Sequence, residues 1–405
     1  MLKYLAMALI CAMIAVGTTQ AVDVPVKEDI DKLMQRSEEP EEKKQGKDGE
    51  KDSKLADIAK YVSIGGVLSG VYQYEWVDGP PEVDDQGRGA LSFQPEINIT
   101  PTENDEIFIL LGFAAGNGLP GVSPFNLATW AAGLEDDVKD INGRNRSYLL
   151  QAWYGHTFEF SEDHVLGLIG GIIDSTDYLD DNVYANDEYT QFMNEALVNG
   201  PNAFLPSWDI GGAVEWDFGP FGARGVYMNI GENDDGNNFN FYGSQLMYTL
   251  NISFGEGHYR VLYNWTSNAF LNPEGTSKER RDILLFSFDQ AFGDIFGAWI
   301  RFAFGSDSAL VNYTTAYTGG INISGHLWGR EQDNIGIGYG YLDGAEQTEE
   351  SLKNTHVAEA YVNFGLYEYL SLTFDLQYMK DRYVATASGN NVDGWIAGVR
   401  ATCEF

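Results

Sequence analysis

The chain is short of cysteine, histidine, proline, positive charge and long apolar runs. It holds 2 cysteines in 405 residues, and Cys11 falls in a leader-like stretch, which excludes an intramolecular disulfide framework. Its 5 histidines are His156, His164, His258, His326 and His356. No two share helix spacing, and none joins a serine, cysteine or acidic residue in a recognisable motif, so no enzyme, cofactor or metal site is expected. Against 60 Asp and Glu stand only 25 Lys and Arg, a formal net charge of −35, which excludes nucleic acid as a partner. The longest apolar run, Leu5 to Val16, is too short to cross a bilayer as a helix, which takes about 20 residues. Behind Lys3 and before Thr19-Gln20-Ala21, it reads as a secretory signal over residues 1–21, without a lipobox around Cys11.

What the chain has in quantity is aromatic side chains, 23 Tyr, 23 Phe and 9 Trp, set among only 12 prolines, a composition suited to long strands. The final stretch, Trp395 to Phe405, shows the pattern most plainly. Trp395, Ala397, Val399, Ala401, Cys403 and Phe405 alternate with residues that include Arg400, Thr402 and Glu404. A period of two describes a strand with one apolar and one polar face. Without spanning helices, a membrane can be crossed only by a closed barrel that pairs every backbone group.

Residues 22–60 are a different material. Between Lys27 and Lys60 the chain mixes nine basic with eleven acidic residues and carries little that could form a core, so nearly all the negative charge belongs to residues 61–405. This segment reads as a charged periplasmic linker or short helix around Ile30, Leu33 and Met34. A cell-wall contact or an oligomer formed through it is the associated expectation. From Tyr61 onward about sixteen strand-like runs begin, near Tyr61, Gly89, Glu106, Ser147, His164, Ile210, Ala223, Asn240, Tyr259, Asp282, Ile295, Thr314, Asn334, Thr355, Tyr369 and Gly394. Short turns come after every second run, among them Thr102 to Asp105, Gly219 to Gly222 and Gly255 to His258; longer acidic loops fill the other gaps. An even strand count with alternating short and long connections predicts a transmembrane antiparallel β-barrel over residues 61–405, with short periplasmic turns and long extracellular loops. Leu246, Tyr248 and Leu250, or Phe296, Ile300, Phe302 and Phe304, would face lipid; the polar face would line a lumen.

Parity along the strands places Glu75, Glu96, Trp153, Arg260, Asn264, Trp299, Arg301, Glu359, Tyr361, Asn363, Asp375, Gln377 and Arg400 inward. Arginines opposite carboxylates would set a transverse field across a polar channel, or pair to brace its wall. The excess of acid argues against an anion-selective pore. Two connections are long enough to be functional, residues 117–146 and 182–209. In the second, Asp187 to Val198 reads as a short helix anchored by Phe192 and Leu197. Folded inward, this loop would constrict the channel; folded outward, it would only cap the barrel.

The stretch 166–209 carries Gly170, Gly171 and Asp174, then Tyr184-Ala185-Asn186-Asp187, Gln191-Phe192-Met193-Asn194 and Pro206. It resembles the signature region of the carbohydrate-selective porin (OprB) family, departing from it where Gly171 stands in place of a Lys. The resemblance implies an outer-membrane porin that passes small hydrophilic solutes, sugars above all, by diffusion. On that likeness Asp174, Asn186, Asp187, Gln191, Phe192 and Asn194 join Glu75, Glu96, Trp153, Arg260, Trp299, Arg301, Glu359, Asp375 and Arg400 as pore or constriction candidates. Outer-membrane lipid and lipopolysaccharide would surround it, with Phe405 serving the barrel-assembly machinery. A general, weakly cation-preferring porin and a structural barrel tethered to the cell wall are the alternatives.

Overall fold

A computed structural model describes residues 60–79, 83–133, 135–348, 351–384 and 391–405. The signal expected at residues 1–21 and all but the last residue of the charged segment 22–60 lie outside these. The described residues form one closed antiparallel barrel. Its strands are β1 (Val62–Asp78), β2 (Gln86–Thr102), β3 (Asp105–Leu111, continued as Phe113–Ala115), β4 (Leu149–Ser161), β5 (His164–Ile173), β6 (Asp209–Phe218), β7 (Phe221–Ile230) and β8 (Phe239–Ile252). They continue as β9 (Gly255–Thr266), β10 (Asp282–Phe292), β11 (Phe296–Gly305), β12 (Tyr313–Ser324), β13 (Asn334–Gly344), β14 (Leu352–Tyr367), β15 (Leu370–Tyr383) and β16 (Val392–Glu404). Each pairs with its neighbours in sequence, and β16 closes on β1 in the register Val67↔Glu404 to Asp78↔Asp393. Closure leaves no edge strand.

The break in β3 falls at Gly112, where a Cβ would stand 2.6 Å from Leu150 Cδ1. The sixteen strands begin within a few residues of the expected positions. One expected turn is misplaced: Gly255 to His258 belong to β9, and the chain reverses at residues 253–254. The longest of the short connections, residues 325–333, holds a turn of 3₁₀ helix, Gly325–Trp328. There Arg330 Nε donates to Asp333 at 2.6 Å and holds that carboxyl below the usual carboxylate range.

Strand parity sorts the two faces as expected. Leu246 is 67% exposed and Phe296 47% on the outer surface, whereas Arg400 is fully buried on the inner one. No helix among the described residues is long and apolar enough to cross a membrane. The inner face is not uniformly polar, however. Leu262, Leu285, Ala303, Leu342, Val357 and Met379 point inward and form the main hydrophobic core with residues of the two longest loops. Alternation separates inside from outside, but an inner apolar position is justified only once something dry covers it.

Candidate functional site

The covering comes from residues 174–208, which leave β5, cross the interior and return to β6. The crossing begins at Asp174, whose side chain accepts from the Thr176 backbone N–H. Beyond it, three barrel arginines seize the loop. Arg260 Nε donates to Asp181 at 2.6 Å while its Nη1 meets Asp289. Arg301 Nε donates to Asp180 at 2.9 Å, and its other nitrogens reach the carbonyls of Ala185, Leu197 and Val198. Arg400 donates to the carbonyls of Glu188 at 2.7 Å and Gln191 at 3.0 Å. A guanidinium has five donors in a rigid fork and suits such multiple capture; a buried one without partners would be strongly destabilising.

From β14, between the strands of Arg301 and Arg400, Glu359 accepts from the backbone N–H of Met193 at 2.6 Å and of Asn194 at 3.0 Å. Asn194 accepts from Ala196 N and starts a helix of one turn, Glu195–Val198, shorter than the one expected from Asp187. Asp187 instead accepts from the Tyr189 and Thr190 backbones and forms a tight turn. Phe192 and Leu197 are the buried anchors the sequence suggested. Phe192 packs edge-on to Trp299 and Tyr361, with ring centroids at 5.6 and 5.1 Å. The wall receives them at Gly338, where an added Cβ would lie 2.9 Å from both Leu197 and Phe192.

Residues 116–148 form a second layer against the first. Glu195 N donates to the Ala128 carbonyl, and Ala128 N donates back to the Glu195 carboxylate. Trp130 Nε1 donates to the Glu188 carbonyl, while Gln73 exchanges two hydrogen bonds with Thr129. Glu75, an expected pore residue, is buried and accepts from Ser123 of this loop and from Gln86.

Open space in the interior lies beneath these layers, towards the short-turn end on the β2–β6 side. It is a cavity of about 620 Å³. Gln94, Glu96, Glu106, Gln151, Trp153 and Glu215 face it, with Asp177 at the edge of the crossing loop. Phe108 and Trp153 stack with centroids 5.3 Å apart and present an aromatic platform among the carboxylates and amides. Glu215 has Arg224 at 3.2 Å as counterion. Planar hydrogen-bonding groups beside an aromatic face suit hydroxyl-rich solutes.

Of the residues expected from the sequence, Glu96 and Trp153 border this cavity. Arg260, Arg301, Arg400 and Glu359 grip the crossing loop instead of facing open space. Trp299 lies under Phe192. Asp375 is buried and accepts from Gln377. Asn186 accepts from Asn199, and Gln191 accepts from the Asn186 backbone. Parity could have added Glu106, Gln151 and Glu215; Phe108, an apolar residue at an inward position of β3, obscured the alternation there. The alternate glycines Gly336, Gly338 and Gly340 of β13 were a further signal, since a wall stripped of side chains at three successive inward positions makes room for something.

The family model for "Carbohydrate-selective porin, OprB family" matches residues 133–405. An uncharacterised protein of Aquifex aeolicus (strain VF5) is 31% identical over 292 residues, 72% of this chain and 77% of that protein. Among solved structures, Pseudomonas putida OprB at high pH superposes with a TM-score of 0.66 at 14% identity, covering 88% of this chain and 97% of that one. The outer membrane channel DcaP of Acinetobacter baumannii gives 0.53 at 10% identity, covering 85% and 97%. The chain belongs to the carbohydrate-selective porin, OprB family.

Proposed function

We propose that this member of the carbohydrate-selective porin family, an outer-membrane channel for small solutes, passes sugars by diffusion through a lumen narrowed by residues 116–148 and 174–208. The observation that carries the reading is the crossing loop. Its path between Arg260, Arg301, Arg400 and Glu359 leaves open the aromatic and amide-lined cavity beside Trp153. On this reading the short turns are periplasmic, the long loops extracellular, and Glu96 and Trp153 touch the solute, whereas the buried arginines set the aperture. Residues 1–21 would direct export, and residues 22–60 would lie in the periplasm and make any oligomer or cell-wall contact. Phe405 would engage the assembly machinery.

Swelling of liposomes in sugars of increasing size tests the reading. Monosaccharides should permeate, with a sharp cutoff at small oligosaccharides. The acidic cavity favours one second reading, a general cation-preferring channel. In planar bilayers, an ion current untouched by glucose or maltose, together with strong preference for Na⁺ over Cl⁻, would select it.

A further inference from the structure

The cavity of about 620 Å³ is lopsided in charge. Glu96, Glu106, Asp177, Glu215 and Glu404 border it, and among the described residues no Lys or Arg does. His156 also borders it, with its Nδ1 already 2.8 Å from Asp105. Glu215 has Arg224 as counterion, but that guanidinium also pairs with Asp217 at 2.8 Å. Among the described residues none of the other four carboxylates forms an ion pair. All five are half-buried or exposed, so each can meet a solute.

The wall between Glu106 and Glu215 is kept low. Glu106 on β3 pairs with Gly155 on β4, and Glu215 on β6 pairs with Gly167 on β5, which in turn faces the short Thr157. Three strand spacings of about 4.8 Å, roughly 14 Å along the wall, separate β3 from β6. The two glutamates therefore flank a shallow strip that larger side chains would fill. Trp153 leans over it, since a Cβ added at Gly155 would stand 3.2 Å from the indole.

An ionised carboxylate only accepts hydrogen bonds, so the lining asks its solute for donors. Amide donors come from Gln94 and Gln151 alone among the groups already named. An ammonium brings three donors and no acceptor, and gains a Coulomb attraction that a hydroxyl lacks. A solute carboxylate would meet like charge on every side. The half-buried Trp153 and Phe108 give the apolar surface that a sugar's C–H side needs.

We infer that this cavity sorts sugars by charge and takes amino sugars, in their protonated form, ahead of neutral sugars and far ahead of sugar acids. Glu96, Glu106 and Glu215 meet the ammonium, and Trp153 meets the apolar side of the ring. The inference rests on the sugar-channel reading and names the solute class of its cavity. Carboxylates spread over β2, β3, β6 and β16 offer the ammonium several sites in place of one deep trap, as passage requires.

The test is the initial uptake of trace labelled glucosamine, glucose and glucuronate into liposomes holding the full-length protein, in dilute potassium chloride at about pH 6, where an ordinary amine is protonated. Glucosamine and glucose are close in size, so charge is the main difference between them. Glucosamine should enter about tenfold faster than glucose, and glucuronate slowest. Glu96→Gln, Glu106→Gln and Glu215→Gln together should bring the glucosamine-to-glucose ratio close to one, and concentrated salt should lower it in the wild type. The wild-type rates decide the matter even if the variant does not assemble. Equal entry of glucosamine and glucose, or a ratio retained in the assembled variant, would overturn the sorting by charge and leave sugar passage standing. A channel that conducts ions but admits none of the three sugars would overturn both.

Discussion

Arg301 and Asp180 meet at 2.9 Å with both side chains sealed from solvent, an ion pair formed between the barrel wall and a loop 121 positions away in sequence. With three loop carbonyls on the same guanidinium, Arg301 holds the crossing loop at four points. Removing one member leaves the other charged and dry, a loss of about 3–5 kcal/mol. Arg301→Gln should therefore lower the thermal stability of the assembled barrel and raise single-channel conductance as residues 174–208 loosen. Arg301→Lys should not restore the wild-type state, because a single ammonium cannot span the acceptors that the fork reaches. Conductance unaltered in Arg301→Gln would show that the loop is held elsewhere.

Gly338→Val tests the seat of the loop without touching any charge. A Cβ already stands 2.9 Å from Leu197 and Phe192 at this position, so a branched side chain must push Phe192 out of its pocket. Overpacking of this kind costs about 1–3 kcal/mol. The expected readout is a lower melting temperature with noisier, larger currents; a variant matching wild type in both would place the anchor away from Phe192.

Excising residues 182–208 and closing the gap with a short glycine-rich linker should raise the sugar size limit in liposome swelling. The barrel hydrogen bonds of β5 and β6 are left intact by this change. An unmoved cutoff would mean that residues 116–148 alone set the aperture.

Neutralising the cavity carboxylates with Glu96→Gln, Glu106→Gln and Glu215→Gln together should weaken cation preference, measured as a reversal potential under a salt gradient. The change should be larger in dilute salt, where screening lengths exceed roughly 10 Å. A reversal potential identical to wild type would move the conducting path away from this cavity.

Phe405 exchanges backbone hydrogen bonds with Gly66 at 3.0 and 3.1 Å, and its ring lies beside Phe93 with centroids 6.3 Å apart. Deleting it should reduce the fraction of barrel assembled in membranes, while channels that do assemble conduct as wild type. Full assembly without it would leave Phe405 with a packing role only.

The barrel itself was legible because a strand exposes its two faces at a period of two, and that record survives in any local window. Leu246 outward and Arg400 inward come from parity alone, and the strand count from the strand-like runs and the turns between them. Length and the resemblance carried by residues 166–209 both singled out the loop that crosses the interior. Its helix was overestimated because Asp187 and Asn194 both have helix-starting side chains, and only Asn194 caps a helix in the folded protein.

The residues read alone thus specify what is local and periodic: which side chain faces which way, and where the chain turns. Whether an inward residue meets water or another part of the chain is settled only in three dimensions. Glu96 and Arg400 read identically as inward polar residues, yet one borders open space and the other is fully buried against the carbonyls of Glu188 and Gln191. The difference depends on a loop returning across more than 200 positions. Such long-range burial leaves no period in the sequence, because it is set by where the loop comes to rest and not by the strand on which the arginine sits.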